Sequence, residues 1–133
     1  MTTVSATLCK AERQHRRTII GKLFEKGSKS MSAFPLRVVY MSIEQEEGAP
    51  SASMLVSVPK RHFKRAVKRN RVKRQVREAY RLNKHILNDV LIGKPYAMVL
   101  AFIWQDKELR STEEVNRKVK SLLSRIAEKE SQV

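Results

Sequence analysis

The sequence predicts an α/β sandwich, a single small domain with helices packed on a mixed β-sheet. Three observations carry this. Tyr96–Trp104, YAMVLAFIW, is a near-continuous apolar run of strand length, as expected of a central strand covered on both faces. Val72, Val76, Ala79 and Tyr80 recur at the spacing of one helical stripe inside a strongly basic stretch. Val115, Val119, Leu122 and Ile126 form the stripe of a closing helix. At 133 residues the chain has the length of one domain with one modest core.

Residues 1–12 are small and polar and read as a flexible segment ahead of a domain over 13–128, with a loose tail from 129. Arg13–Lys26 reads as a helix on Ile19, Ile20, Leu23 and Phe24, stopped by Gly27. Ser28–Ser32 reads as a turn. Phe34–Ile43 reads as a strand or a bent pair of strands, with Leu36, Val38, Tyr40 and Ser42 facing one way and Arg37, Val39, Met41 and Ile43 the other. The acidic Glu44–Ser51 reads as a hairpin-type loop, and Ala52–Val58 as a second strand ended by Pro59.

The basic stretch runs from Lys60 to Lys84, and Glu78 is its only acid. Such crowding of like charge opposes a helix unless an anion answers it. Against the stripe at Val72 and Val76, helical geometry sets Asn70, Arg71, Arg74, Arg77 and Arg81 on the opposite side, with Lys68 and Lys73 flanking. Arg65 and Arg69 would fall near the apolar seam in a longer helix, so the pattern starts the helix near Asn70, a candidate N-cap, and continues it through Ile86, Leu87, Val90 and Leu91. Gly93–Lys94–Pro95 breaks it. Ser111–Glu114 has the spacing of a capping box.

The whole chain repeats the local charge, with 28 Lys and Arg against 13 Asp and Glu, a net +15. A basic ridge sorted against an apolar seam is the footprint of nucleic-acid binding, whereas an ordinary solvated helix interleaves both signs. Hydrophobic content of 41% suits a folded domain. No apolar run is long enough to span a bilayer and no signal-peptide core is visible, so a cytoplasmic protein without membrane contact is expected. Cys9 is the sole cysteine and reads as a reduced thiol. Asp89 and Asp106 are the only aspartates, and His15, His62 and His85 are scattered among cations, so no metal box or catalytic triad is readable. The expectation is a chain that binds, with no catalytic residue and no metal of its own.

Ser57–Arg81, SVPKRHFKRAVKRNRVKRQVREAYR, resembles the signature of the bacterial ribonuclease P protein component. The matching positions are Ser57-Val58, Ala66-Val67, Arg69-Asn70-Arg71, Lys73-Arg74, Arg77 and Tyr80. KLFEKG at Lys22–Gly27 and RVVY at Arg37–Tyr40 resemble further parts of the family. The resemblance implies an α+β sandwich with about four strands and three helices, like ribosomal protein S5 domain 2, with a left-handed βαβ crossover at the basic motif. It also implies a small subunit of a ribonucleoprotein endonuclease, in which the RNA removes the 5′ leader of precursor tRNA with Mg²⁺ held mainly on the RNA.

On that resemblance, Arg69, Asn70, Arg71, Lys73, Arg74 and Arg77 contact ribonuclease P RNA, and the basic turn and helix face add Lys64, Arg65, Lys68 and Arg81. Phe24 and Tyr40 match aromatics of a cleft for the single-stranded leader, where stacking is worth about 1–3 kcal/mol per base. Ile20 stands where the family usually has a cleft phenylalanine, and Lys60 and Arg61 match the turn edging the cleft. Leu55 replaces a common strand glycine, and His62–Arg65 carries Phe63 and an extra residue where a glycine turn is usual. The alternatives are a non-enzymatic RNA-binding or ribosome-associated module and a DNA-binding helix-turn-helix, the latter disfavoured because the basic helix follows a strand.

Overall fold

A proline-bearing turn, one basic helix and one closing helix arrange four strands into a single mixed sheet. The computed structural model describes residues 29–44 and 51–131. Its elements are β1 (Lys29–Ala33), β2 (Leu36–Glu44), β3 (Ala52–Ser57), α1 (Ala66–Leu91), β4 (Tyr96–Trp104) and α2 (Thr112–Ser131). The strand order is β1-β2-β4-β3, antiparallel except for the parallel β3–β4 pair. The helix expected over Arg13–Lys26, with Ile20 and Phe24, lies outside the described residues, which contain two helices.

The apolar Tyr96–Trp104 run is an interior strand, as its composition predicts. Met98, Leu100, Phe102 and Trp104 join the main core, and Val99 and Ala101 are buried on the other face with Met41, Ile43 and Leu55. Period-two alternation makes each strand serve two faces. Leu36, Val38 and Tyr40 of β2 and Met54 of β3 share the core with Val72, Val76, Ala79 and Tyr80 of α1 and Val115, Val119, Leu122 and Ile126 of α2. Both helical stripes therefore cover one side of the sheet.

Four expectations need correction. Lys29–Ala33 is a strand and not a turn: Met31 and Ala33 pack on the core while Ser30 and Ser32 stay exposed, and Ala33 pairs with Leu36 across Phe34–Pro35. Pro35 has no N–H to extend a ladder, so the chain turns there. β2 and β3 are not hairpin partners, because β4 lies between them. The basic helix starts at Ala66, a turn before Asn70, with Arg65 as the N-cap residue. The closing helix passes Glu128 and runs to Ser131, because Glu130 is buried and accepts a hydrogen bond from the Tyr96 hydroxyl at 2.9 Å.

The ends of the helices are set locally. Gly93, at φ 81°, supplies the left-handed step that ends α1, and the Lys94 amide donates to Leu91 O at 3.0 Å. Ser111 caps α2, its Oγ accepting from the Glu114 amide at 3.2 Å. The Glu114 side chain does not complete the box; it accepts from Arg110 Nη1 at 3.1 Å.

Candidate nucleic-acid interface

The site begins where β3 ends. Val58 is buried, Pro59 follows, and the His62 amide donates to Pro59 O at 3.1 Å to close a turn. Phe63 is only 5% exposed and drops into the main core, which anchors the turn from below. Lys60, Arg61, Lys64 and Arg65 all stand exposed around it. Phe63, unusual for the resembled motif, thus plugs the turn into the core.

Along α1 the helical sorting of residues is realised in space. Val72, Val76, Ala79, Tyr80, Leu87 and Leu91 are buried; Lys68, Asn70, Arg71 and Arg74 are exposed; Lys73, Arg77 and Arg81 are half-buried at the flanks. Lys84, at the end of the basic stretch, is buried and stands apart from this ridge. Arg81 donates from Nε to Glu78 Oε2 at 3.0 Å. That hydrogen bond holds the Glu78 carboxyl below its ordinary value and raises Arg81. The ridge is therefore cationic from Lys60 through Arg77 and locally neutralised at Glu78.

Arg69 behaves differently from its neighbours. Its Nη1 donates to Phe63 O at 2.7 Å and to Lys64 O at 2.8 Å. This is why the helix begins early: the guanidinium of a seam-side residue turns back to the preceding carbonyls, which spares the seam a charge. Asn70 lies inside the helix, exposed, and is not its cap.

Tyr40, matched by the resemblance to a leader cleft, lies in the main core. It is 1% exposed, on the core side with Leu36 and Val38. Its hydroxyl has no hydrogen-bond partner among the described residues. Burial, and then the charge of Glu130, push its pKa up. The face away from the helices carries instead Arg37, exposed, and Met41, Ile43, Leu55, Ser57 and Ile103, half-buried. Arg37 pairs with Ile103 and Ser57 with the same Ile103, so these three form one row across the sheet. That row lies at the end of β3 from which the chain leaves toward Lys60 and Arg61. Strand alternation alone already sets Arg37 on the face opposite Tyr40.

A family model described as Ribonuclease P matches residues 8–127. The chain belongs to the ribonuclease P protein family. It is 50% identical over 120 residues to the ribonuclease P protein component of Porphyromonas gingivalis, covering 90% of this chain and 86% of that one. It is 34% identical to the same component of Chlorobaculum tepidum, covering 81% and 77%. The ribonuclease P protein from Thermotoga maritima has the same fold, with a TM-score of 0.64 at 25% identity over 86% of this chain and 96% of that one. As a ribonuclease P protein, the chain is a subunit of the ribonucleoprotein that processes the 5′ end of tRNA, an endoribonuclease as a holoenzyme. Its partner is the ribonuclease P RNA.

Proposed function

We propose that the turn at Lys60–Arg65 and the exposed face of α1 meet the ribonuclease P RNA, and that the sheet face carrying Arg37 guides the 5′ leader of precursor tRNA. The sorting of charge supports the first part: Lys64, Arg65, Lys68, Asn70, Arg71 and Arg74 are exposed while the same helix buries Val72 and Val76. Each cation that meets a phosphate releases counterions, so the protein takes over part of the screening that salt and Mg²⁺ otherwise provide. The leader reading is supported by the row Arg37, Ile103 and Ser57, which offers one charge and an apolar step beside the basic turn.

Several carboxylates are already taken by the protein's own groups: Asp106 and Glu114 pair with Arg110, Glu78 pairs with Arg81, and Glu130 accepts a hydrogen bond from the Tyr96 hydroxyl. We read the Mg²⁺ that hydrolysis needs as held by the RNA. Among the described residues no helix is long and apolar enough to cross a membrane. We place the chain in the bacterial cytoplasm, where precursor tRNA is made. We also read the β3–α1–β4 crossover as left-handed, as in ribosomal protein S5 domain 2; the parallel β3–β4 pair supports a crossover there.

Reconstitution with the cognate RNA tests the reading. Added protein should raise cleavage of precursor tRNA at low Mg²⁺. RNA affinity without any change in leader removal would instead point to a non-enzymatic RNA-binding module.

A further inference from the structure

The geometry points to Arg69 as a positioning residue of the RNA interface: it clasps the turn that carries the neighbouring cations and does not itself grip a phosphate. This deepens the reading above and rests on it. Nη1 of a guanidinium carries two hydrogens, and here both have an acceptor, Phe63 O at 2.7 Å and Lys64 O at 2.8 Å. A two-pronged phosphate grip that uses Nη1 is thereby closed.

The clasp sits where the structure needs a tie. α1 has no side-chain cap and no acid in its first turn. Its N-terminus is surrounded by Lys64, Arg65 and Lys68, which repel one another. Arg69, at the end of that first turn, reaches back over Arg65 to the two carbonyls just before the helix. Phe63 anchors the same turn through its buried ring. Ring and clasp together fix the backbone of Lys64 between the turn and the helix, so Lys60, Arg61, Lys64 and Arg65 are held in one arrangement before RNA arrives. Ordering several long cations in advance removes that cost from the binding step.

The test compares Arg69→Ala with Arg71→Ala in the full chain, using ribonuclease P RNA over a range of salt concentrations. Arg71→Ala should reduce the slope of log affinity against log salt by about one, as for a lost phosphate contact. Arg69→Ala should raise Kd about tenfold and leave that slope unchanged. In the free protein, hydrogen exchange of the His62 amide should quicken in Arg69→Ala while amides of β4 stay protected. A slope reduced by about one in Arg69→Ala, an unchanged Kd, or unchanged His62 exchange each overturns the inference. If Arg69→Ala does not fold, Arg69→Lys is read in its place: wild-type affinity together with fast His62 exchange overturns the positioning role, and weakened affinity at an unchanged slope supports it. A wild type that binds no ribonuclease P RNA refutes the functional reading instead, and exchange in the free protein still tests the clasp.

Discussion

Asn83 of α1 joins the two helices through a single amide nitrogen: Nδ2 donates to Asn116 Oδ1 at 2.7 Å and to Ala79 O at 2.8 Å. Both hydrogens are used, and Asn83 is buried. Asn83→Asp replaces a double donor facing two acceptors with a carboxylate that can only accept. We expect a loss of about 3 kcal/mol at pH 7, mostly from burying an unmatched charge. The buried acid would have a raised pKa, so the deficit should shrink as pH falls toward the ordinary aspartate value of about 3.9. Urea titrations at pH 7 and pH 5 check this; an equal deficit at both would show that the charge is not its cause.

Glu78→Gln should tighten binding to ribonuclease P RNA. Glu78 is the acid set within the basic ridge, hydrogen-bonded to Arg81. Removing its charge takes a repulsive negative charge away from the phosphate backbone, so the salt slope should steepen by about one. The pair is exposed and contributes little to stability, so Tm should hardly move. Filter binding at several salt concentrations reads both effects, and weaker RNA binding would remove this part of α1 from the interface.

Tyr40→Phe should stabilise the protein. The hydroxyl is buried without a partner among the described residues, and deleting it relieves about 1 kcal/mol of desolvation. Its pKa is raised above 10.0, so the folded state keeps its proton where the unfolded chain has begun to lose it. The stability linked to that proton is intact below about pH 10 and is lost as pH rises through the folded value. Tyr40→Phe should therefore flatten the alkaline fall in stability, which denaturant titrations between pH 8 and pH 11 would show. An unchanged profile would place the titrating group elsewhere, with Tyr96, also raised by burial and by Glu130, as the next to replace.

How far the sequence spoke for the fold depended on whether a feature is carried by periodicity. The seam at Val72, Val76, Ala79 and Tyr80 and the run Tyr96–Trp104 are periodic and dense, and both elements appear where they were expected. β1 has two inward residues, Met31 and Ala33, among small polar ones, which is too few for alternation to stand out. Alternation tells which face a residue takes but not which strand lies next to it, so the insertion of β4 between β2 and β3 was not legible. The helix start was misplaced because a charge at Arg69 counts against burial in any pattern, whereas the long side chain carries its charge to two carbonyls outside the seam. For the site, alternation already set Tyr40 on the side of Leu36 and Val38, and the family resemblance alone put it in a cleft.

Arg37→Ala separates the two surfaces of the proposed interface. Arg37 is exposed on the sheet face opposite the one covered by α1 and α2, in one row with Ile103 and Ser57, whereas Arg71 and Arg74 stand exposed on α1. If the leader passes over that face, losing the guanidinium should weaken holoenzyme binding to precursor tRNA by about 1 kcal/mol, roughly fivefold, as for one exposed charge contact. The same variant should bind ribonuclease P RNA as well as wild type, and should bind mature tRNA, which has no leader, without change. Arg71→Ala should give the reverse pattern, weakening assembly with the RNA while leaving the preference for a leader intact once the holoenzyme is saturated. Two substrates differing only in the leader, measured with both variants, decide it: an equal loss on precursor and mature tRNA for Arg37→Ala would take the leader off this face.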